Sequence, residues 1–336
     1  MKLRNFDQVI SPLLIAEIGN NHEGKFHVAK KIIKLAKLAG ADAVKFQTFK
    51  VENFVNLNDK FRYSRYKKFQ LSQKEFQNLQ KYTHSLGMLF ISTPLDLESA
   101  KFLKDIVDVI KISSGDNNWE ELIQFCSKTK KPLIISTGLL NNEGIKKLVL
   151  LLKKNFKKSF KSKVALLHCV SDYPPSNKDI NLKFLEELRL ITSNFGYSDH
   201  TIGVNACKIA ICNGSKIIEK HFTIDKNYSD FRDHKISANQ KELKEISDFI
   251  KDFEELKGKK KKLISNSEKN NLKNFRRSIV LKKNILKGRK LTEGCLVYLR
   301  PEVGISVNDK KKILGLKIKK ELPKGHILKF KDLSVN

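Results

Sequence analysis

Phe195-Gly196-Tyr197-Ser198-Asp199-His200 and Lys216-Ile217-Ile218-Glu219-Lys220-His221-Phe222 are two short apolar runs whose last residues turn polar. Between them, Val204 to Asn213 is an apolar, helix-compatible segment ending at Gly214. The pattern is strand, helix, strand, with a histidine at each strand end. Crossover units of this kind build parallel sheets. In a parallel barrel, neighbouring strand ends point to one rim, so His200 and His221 are expected to meet there and offer two imidazoles to one metal ion.

The same unit recurs to the N-terminal side. Leu13–Ile18 contains Glu17 and runs into the turn Gly19-Asn20-Asn21-His22-Glu23-Gly24. Ala41–Phe46 carries Lys45, and Met88–Ile91 ends in Ser92-Thr93-Pro94. Val107–Ile112 carries Lys111 and leads to Ser113-Ser114-Gly115-Asp116. Pro132–Ile135 ends in Ser136-Thr137-Gly138, and Lys163–Leu167 ends in His168, Cys169, Ser171 and Asp172. Eight such units in about 240 residues match a (β/α)8 TIM barrel. An open doubly wound sheet fits less well, because no GxGxxG follows the first strand.

In such a barrel the carboxyl ends of the strands converge on one face. Here they hold Glu17, Lys45, Thr93, Lys111, Asp116, Ser136, Ser171, His200 and His221. Charged groups at the tips of apolar strands are costly to bury without partners. Their recurrence points to a polar ligand. Lys45 and Lys111, with Ser136, Ser171 and Ser198, are suited to a phosphate. A metal on His200 and His221 can polarise a carbonyl oxygen. Glu17 and Asp116 are candidate acid–base groups. On these residues alone, carbon–carbon bond formation with an anionic phosphate compound, a metal-dependent aldolase and a phosphate hydrolase all remain open.

The chain has 336 residues, 40% of them hydrophobic, enough for a large core and a smaller second domain. The catalytic barrel is expected over 1–256, a linker over 257–274, and a small β-rich domain over 275–336. That last domain repeats a phrase: Asn284-Ile285-Leu286-Lys287-Gly288 and Glu321-Leu322-Pro323-Lys324-Gly325. Five cysteines without a CxxC pair argue for a reducing, cytoplasmic setting. No signal peptide is expected, and no apolar run approaches the ~20 residues of a membrane helix. The net charge of +30 is spread as lysines along the chain, with one dense run at Lys257–Lys262. We read it as solvated surface and as a field favouring an anionic small substrate, not as a nucleic-acid stripe. The segment between Lys50 and Leu71, with Phe61, Arg62, Tyr63, Arg65 and Tyr66, reads as a lid or a solvent-facing connection.

Several stretches resemble the sialic acid synthase family, the synthases of N-acetylneuraminate, legionaminate and pseudaminate. They are IAEIGNNHEG (15–24), AVKFQT (43–48), FISTPLDLESA (90–100), IKISSGD (110–116), IISTG (134–138), LLHCVSDYP (166–174), GYSDHTIG (196–203) and IIEKHFTIDK (217–226). NFRRSIV (274–280) and LRPEVGIS (299–306) resemble that family's C-terminal antifreeze-like (SAF) domain.

The resemblance implies condensation of phosphoenolpyruvate with the open-chain aldehyde of an N-acylated hexosamine, of N-acetylmannosamine type, with release of phosphate. A related enzyme with another sugar acceptor, or a catalytically impaired sugar-phosphate-binding homologue, is the alternative. It assigns Glu17, Asp116 and His221 to catalysis, and Lys45, Lys111, Ser136, Ser171 and Ser198 to phosphoenolpyruvate. Gln47, Tyr173 and Arg300 fall to the sugar, and His200 and His221 to a divalent metal, Mn2+ with Mg2+ or Co2+ as alternatives. It also implies a domain-swapped homodimer in which Arg300 reaches the other subunit's barrel. The chain departs from the family pattern in five places: Asp116 replaces a glutamate, Ser171 stands where many members have asparagine or threonine, Phe231-Arg232-Asp233-His234 stands for a GPDH-like stretch, Glu302 follows Arg300-Pro301 in place of glycine, and the loop 51–70 is shorter than in typical neuraminate synthases.

Overall fold

A computed structural model describes residues 3–334. The chain divides between Gly258 and Lys259 into two compact units. In the first, eight parallel strands close into a barrel in sequence order: β1 (Leu13–Gly19), β2 (Ala43–Thr48), β3 (Leu89–Pro94), β4 (Val109–Ile112), β5 (Leu133–Ser136), β6 (Val164–Cys169), β7 (Phe195–Asp199) and β8 (Ile217–His221). β8 returns to β1 with Glu17 opposite His221, and this pairing closes the ring. Almost every strand residue is buried, as expected where helices cover the outer face and side chains fill the interior.

Alternation along each strand sorts residues into two layers. One face belongs to the large shell between sheet and helices. There Val28, Ala29, Ile32, Ile33 and Ala36 of the helix Phe26–Leu38 pack with strand residues such as Leu14, Ala16 and Val44. The other face fills the barrel. Its floor is a separate apolar cluster: Leu13, Ile15, Ala43, Leu89, Ile91, Val109, Ile134, Ala165, Leu167 and Ile217, with Leu3 and Phe6 packed into it. One or two steps further along the same strands, that face becomes polar at Glu17, Lys45, Lys111, Ser136, Ser198 and Glu219.

The segment after β2 is neither a bare loop nor an open connection. It forms the helices Val51–Phe54 and Lys60–Phe69, the latter capped by Asp59. Phe49, Phe54, Tyr66, Phe69 and Phe231 interlock there in edge and tilted ring contacts. Ring packing, rather than a helical apolar stripe, holds this excursion together.

In the second unit, β9 (Ser278–Leu281) pairs antiparallel with β10 (Leu296–Leu299), and Lys317–Ile318 pairs with Leu333–Ser334. The repeated phrases face one another through an antiparallel bridge between Ile285 and Leu322. Gly288 and Gly325 occupy matching positive-φ turns at +81° and +86°, a conformation glycine adopts without strain. Within the stretch read as a linker, residues 266–275 form a helix. Ser265 and Glu268 close a reciprocal capping box at its start.

Candidate active site

The polar ends of the strands enclose a cavity of about 450 Å3 at the carboxyl rim. Glu17, Lys45, Gln47, Lys111, Asp116, Ser136, Ser171, Tyr173, Ser198, His200 and His221 all line it. Thr93 stands just behind, 3.4 Å from the Lys45 ammonium. Arg300 belongs to the second unit, where its Nε donates to the Phe275 carbonyl at 2.7 Å.

At the base lies a fully buried charge network. Lys45 Nζ is 3.1 Å from Glu17 Oε2 and 3.5 Å from Glu219 Oε1. Lys111 Nζ is 3.4 Å from the same Glu219 oxygen, which also accepts the Ser198 hydroxyl at 2.8 Å. The two carboxylates differ sharply. Burial raises the Glu17 carboxyl, Lys45 offsets only part of that, and Glu219 adds to the rise. Burial raises Glu219 too, but Lys111 and Lys45 together outweigh it and hold this group below the ordinary carboxylate range. Like charges sharing one cation titrate apart in this way. The result is one carboxyl pushed up to about 7 and one carboxylate held down to about 2 in the same pocket. Burial pushes the Lys111 ammonium down, whereas at Lys45 the two glutamates overcome burial and push it up.

Beside the network is a cradle of hydroxyls. Ser114, Ser136 and Ser171 each present a buried Oγ with no hydrogen-bond partner in the protein. Gly138 keeps the cradle open: a Cβ there would meet Ser171 Oγ at 2.5 Å and Ser114 Oγ at 2.6 Å. Asn117 fixes this turn by donating to the carbonyls of Ser136 and Gly138, at 3.1 and 2.8 Å. Unpaired buried hydroxyls are costly unless a ligand completes them, and hydroxyls beside lysines suit an anionic oxygen. Next to the cradle, Ser113 donates to Asp116 Oδ2 at 2.5 Å, while burial raises the Asp116 carboxyl.

The histidines do meet at the rim, with ring centroids 5.3 Å apart. His200 Nδ1 lies 2.7 Å from the Val170 carbonyl, which places its proton on that nitrogen and leaves Nε2 with a lone pair. Burial, and then His200, push His221 well below the ordinary imidazole range, so it is neutral, and its buried Nδ1 has no partner. Burial lowers His200, but the Cys169 thiol and the Val170 carbonyl outweigh it and push that imidazole up, so His200 must shed a proton before two imidazole donors can meet a divalent cation of borderline softness. Among the described residues no group of three His, Cys, Asp or Glu side chains is arranged to hold a metal. Tyr173 stacks on His200 at 4.1 Å between centroids, and the Arg232 guanidinium covers the Tyr173 ring at 4.6 Å.

Sequence reasoning passed over Glu219, Ser114, Arg232 and Asp233. The signal for Glu219 was available: it stands two residues before His221 and so shares its face of the strand.

Fold and rim together define a (β/α)8 barrel with a charged, hydroxyl-lined cavity at its carboxyl rim. The NeuB family profile matches residues 32–262, and the SAF domain profile matches residues 276–334. The chain belongs to the NeuB family. It is 35% identical over 335 residues to N,N'-diacetyllegionaminic acid synthase of Legionella pneumophila, covering 95% of this chain and 94% of the relative. It is 32% identical over 349 residues to pseudaminic acid synthase of Campylobacter jejuni, covering 99% of each. Among solved structures, N-acetylneuraminic acid (sialic acid) synthetase of Leptospira borgpetersenii, in complex with citrate, superposes with a TM-score of 0.72 at 32% identity, covering 78% of this chain and 90% of that one. No helix among the described residues is long and apolar enough to cross a membrane.

Proposed function

We propose that this protein condenses phosphoenolpyruvate with the aldehyde of an N-acylated hexosamine to give a nonulosonic acid and free phosphate. The observation that carries the reading is the hydroxyl cradle of Ser114, Ser136 and Ser171, which lines one cavity with Lys45, Lys111 and the two histidines. The cradle and lysines suit a phosphate and a carboxylate. The names of the relatives supply the reaction class.

In this reading C3 of the enol forms a bond to the aldehyde carbon, the aldehyde oxygen takes a proton, water adds at C2, and phosphate departs. Glu17, buried and with its carboxyl pushed up to about 7, is the proton donor for the oxygen that becomes a hydroxyl. Glu219, held anionic by Lys111 and Lys45, stabilises positive charge developing at C2. Asp116, tethered by Ser113, orients the incoming water. Gln47 and Tyr173 face the sugar.

His200 and His221 would hold a divalent cation, Mn2+ being expected ahead of Mg2+ or Co2+. When bound, that ion supplies Lewis-acid polarisation of the aldehyde oxygen. Arg300 completes the acyl pocket of a second subunit in a domain-swapped homodimer.

The test is phosphate release from phosphoenolpyruvate with Mn2+ across a panel of N-acylated hexosamines, with His221→Ala alongside. Release with one sugar and its loss in the variant support the reading. Silence across the panel overturns it.

A further inference from the structure

Directly behind the two histidines, on the outer face of the barrel, lies a charged pair that the proposed chemistry does not use. Lys220 Nζ is 2.7 Å from Asp199 Oδ2, with both side chains essentially inaccessible to solvent. Asp199 immediately precedes His200, and Lys220 immediately precedes His221. The two residues face each other on the last rung of the β7–β8 ladder.

The Asp199 carboxylate is fully engaged. Oδ1 accepts the Tyr197 hydroxyl at 3.0 Å and the Thr201 N–H at 2.9 Å. Oδ2 accepts the Thr201 hydroxyl at 3.1 Å and the Cys207 thiol at 3.2 Å, in addition to Lys220. The Lys220 ammonium also donates to the Thr201 carbonyl. The contacts therefore grip the residue before His200, the residue after it, and the residue before His221.

Support for the two histidines is unequal. His221 is still in register with β1, opposite Glu17. His200 lies one residue beyond the end of β7, where the ladder to β8 has stopped. The clasp to Thr201 takes over there.

A buried ion pair is weak grounds for stability, because apolar residues of similar volume serve a core as well or better. A saturated carboxylate does fix positions, since each of its partners is held at one distance and direction.

We infer that Asp199 and Lys220 are positioning residues that set the spacing of His200 and His221, and so tune the affinity of the divalent-cation site; this rests on the metal reading above. The clasp acts through the backbone on either side of His200 and touches neither ligand nor cavity.

The experiment titrates Mn2+ by electron paramagnetic resonance into wild type, Asp199→Asn and the double variant Asp199→Asn/Lys220→Met, with the visible spectrum of the Co2+ form of each. The double variant removes both charges together, so no ion is left buried alone. Loss of such supporting contacts typically weakens metal binding 10–100-fold. We expect at least about a tenfold rise in Mn2+ Kd and a changed Co2+ spectrum, in a folded double variant whose thermal midpoint stays close to wild type. Unchanged Kd and spectrum overturn the inference. A double variant that cannot fold also overturns it, because the pair then serves the fold. Wild type that binds neither ion sinks the metal reading itself and this inference with it.

Discussion

Glu17 and Glu219 approach one ammonium, that of Lys45, at 3.1 and 3.5 Å, yet burial pushes the first up to about 7 while the lysines hold the second down to about 2. Lys111 breaks the tie because it touches only Glu219. Replacing the readily protonated partner and replacing the one held anionic must therefore have different costs. Glu17→Gln copies the protonated form and is expected to leave the thermal midpoint nearly unchanged while lowering kcat by 10²-fold or more. Glu219→Gln leaves two buried lysines short of a counter-charge and is expected to destabilise by about 3 kcal/mol. Thermal unfolding of both variants, followed by turnover, checks the contrast. Equal destabilisation by the two would refute the assignment.

The open cradle at Gly138 makes a sharper demand. A methyl group at this position meets the hydroxyls of Ser171 and Ser114 at 2.5 and 2.6 Å and the Cys169 carbonyl at 3.1 Å. Gly138→Ala is expected to raise KM for phosphoenolpyruvate by roughly tenfold or more, given how steeply reactivity falls with small displacements. Its Mn2+ affinity should stay at the wild-type value. An unchanged KM would mean the phosphate sits elsewhere.

Arg232 covers Tyr173, which in turn stacks on His200 at the mouth of the cavity. Its side chain is largely exposed, so the contact itself contributes about 0.5–1 kcal/mol. Arg232→Ala is expected to raise KM for the acceptor sugar several-fold while KM for phosphoenolpyruvate holds. Steady-state kinetics with each substrate varied separates the two. A change confined to phosphoenolpyruvate would move Arg232 away from the acceptor.

His22 gives a pH dependence of stability. Its Nδ1 accepts the Gly24 N–H at 3.0 Å, its ring packs against Phe46, and burial lowers its pKa from 6.5 to about 4. The folded state excludes the proton, so stability is complete above the unfolded value and declines as pH falls from about 6.5 to about 4. The gap corresponds to roughly 3 kcal/mol. Urea unfolding at pH 7 and at pH 4.5 is expected to show a shallower decline for His22→Gln than for wild type. Parallel declines would remove His22 as the cause.

The proposed swap of Arg300 can be read by mixing subunits. Arg300→Ala and His221→Ala are each expected to be nearly inactive alone. If Arg300 serves the other subunit's barrel, mixed dimers regain one intact site, and activity returns toward half of that expected for the same number of wild-type dimers. No recovery in dimers confirmed as mixed would overturn the swap.

Much of this was readable before any coordinates. Strand ends such as those at Lys45, Lys111 and His221 announce themselves, because a charge closing an apolar run is conspicuous. Glu219 was overlooked because its neighbour Lys220 is also charged. Only alternation separates them, one facing into the barrel and the other under the helix Asn205–Cys212. The helix Lys60–Phe69 left no periodic trace, since it is held by aromatic rings drawn from outside itself, Phe231 among them. The helix 266–275 lacks any buried residue, so only its cap distinguishes it from a polar tether. Arg232 and Asp233 follow β8 by about ten residues, a distance over which strand spacing predicts nothing.

Leu3 and Phe6, packed into the apolar floor, make the barrel a blind shaft. Traffic has one doorway. The Lys45–Lys111–Glu219 seat lies at the bottom and the Tyr173–Arg232 pair at the lip, so the molecule that fills the seat is shut in by whatever follows it. Under the proposed chemistry, phosphoenolpyruvate arrives first and the sugar closes over it. On that reading, the order of substrate addition follows from the floor of the barrel, at the end farthest from where any bond is made.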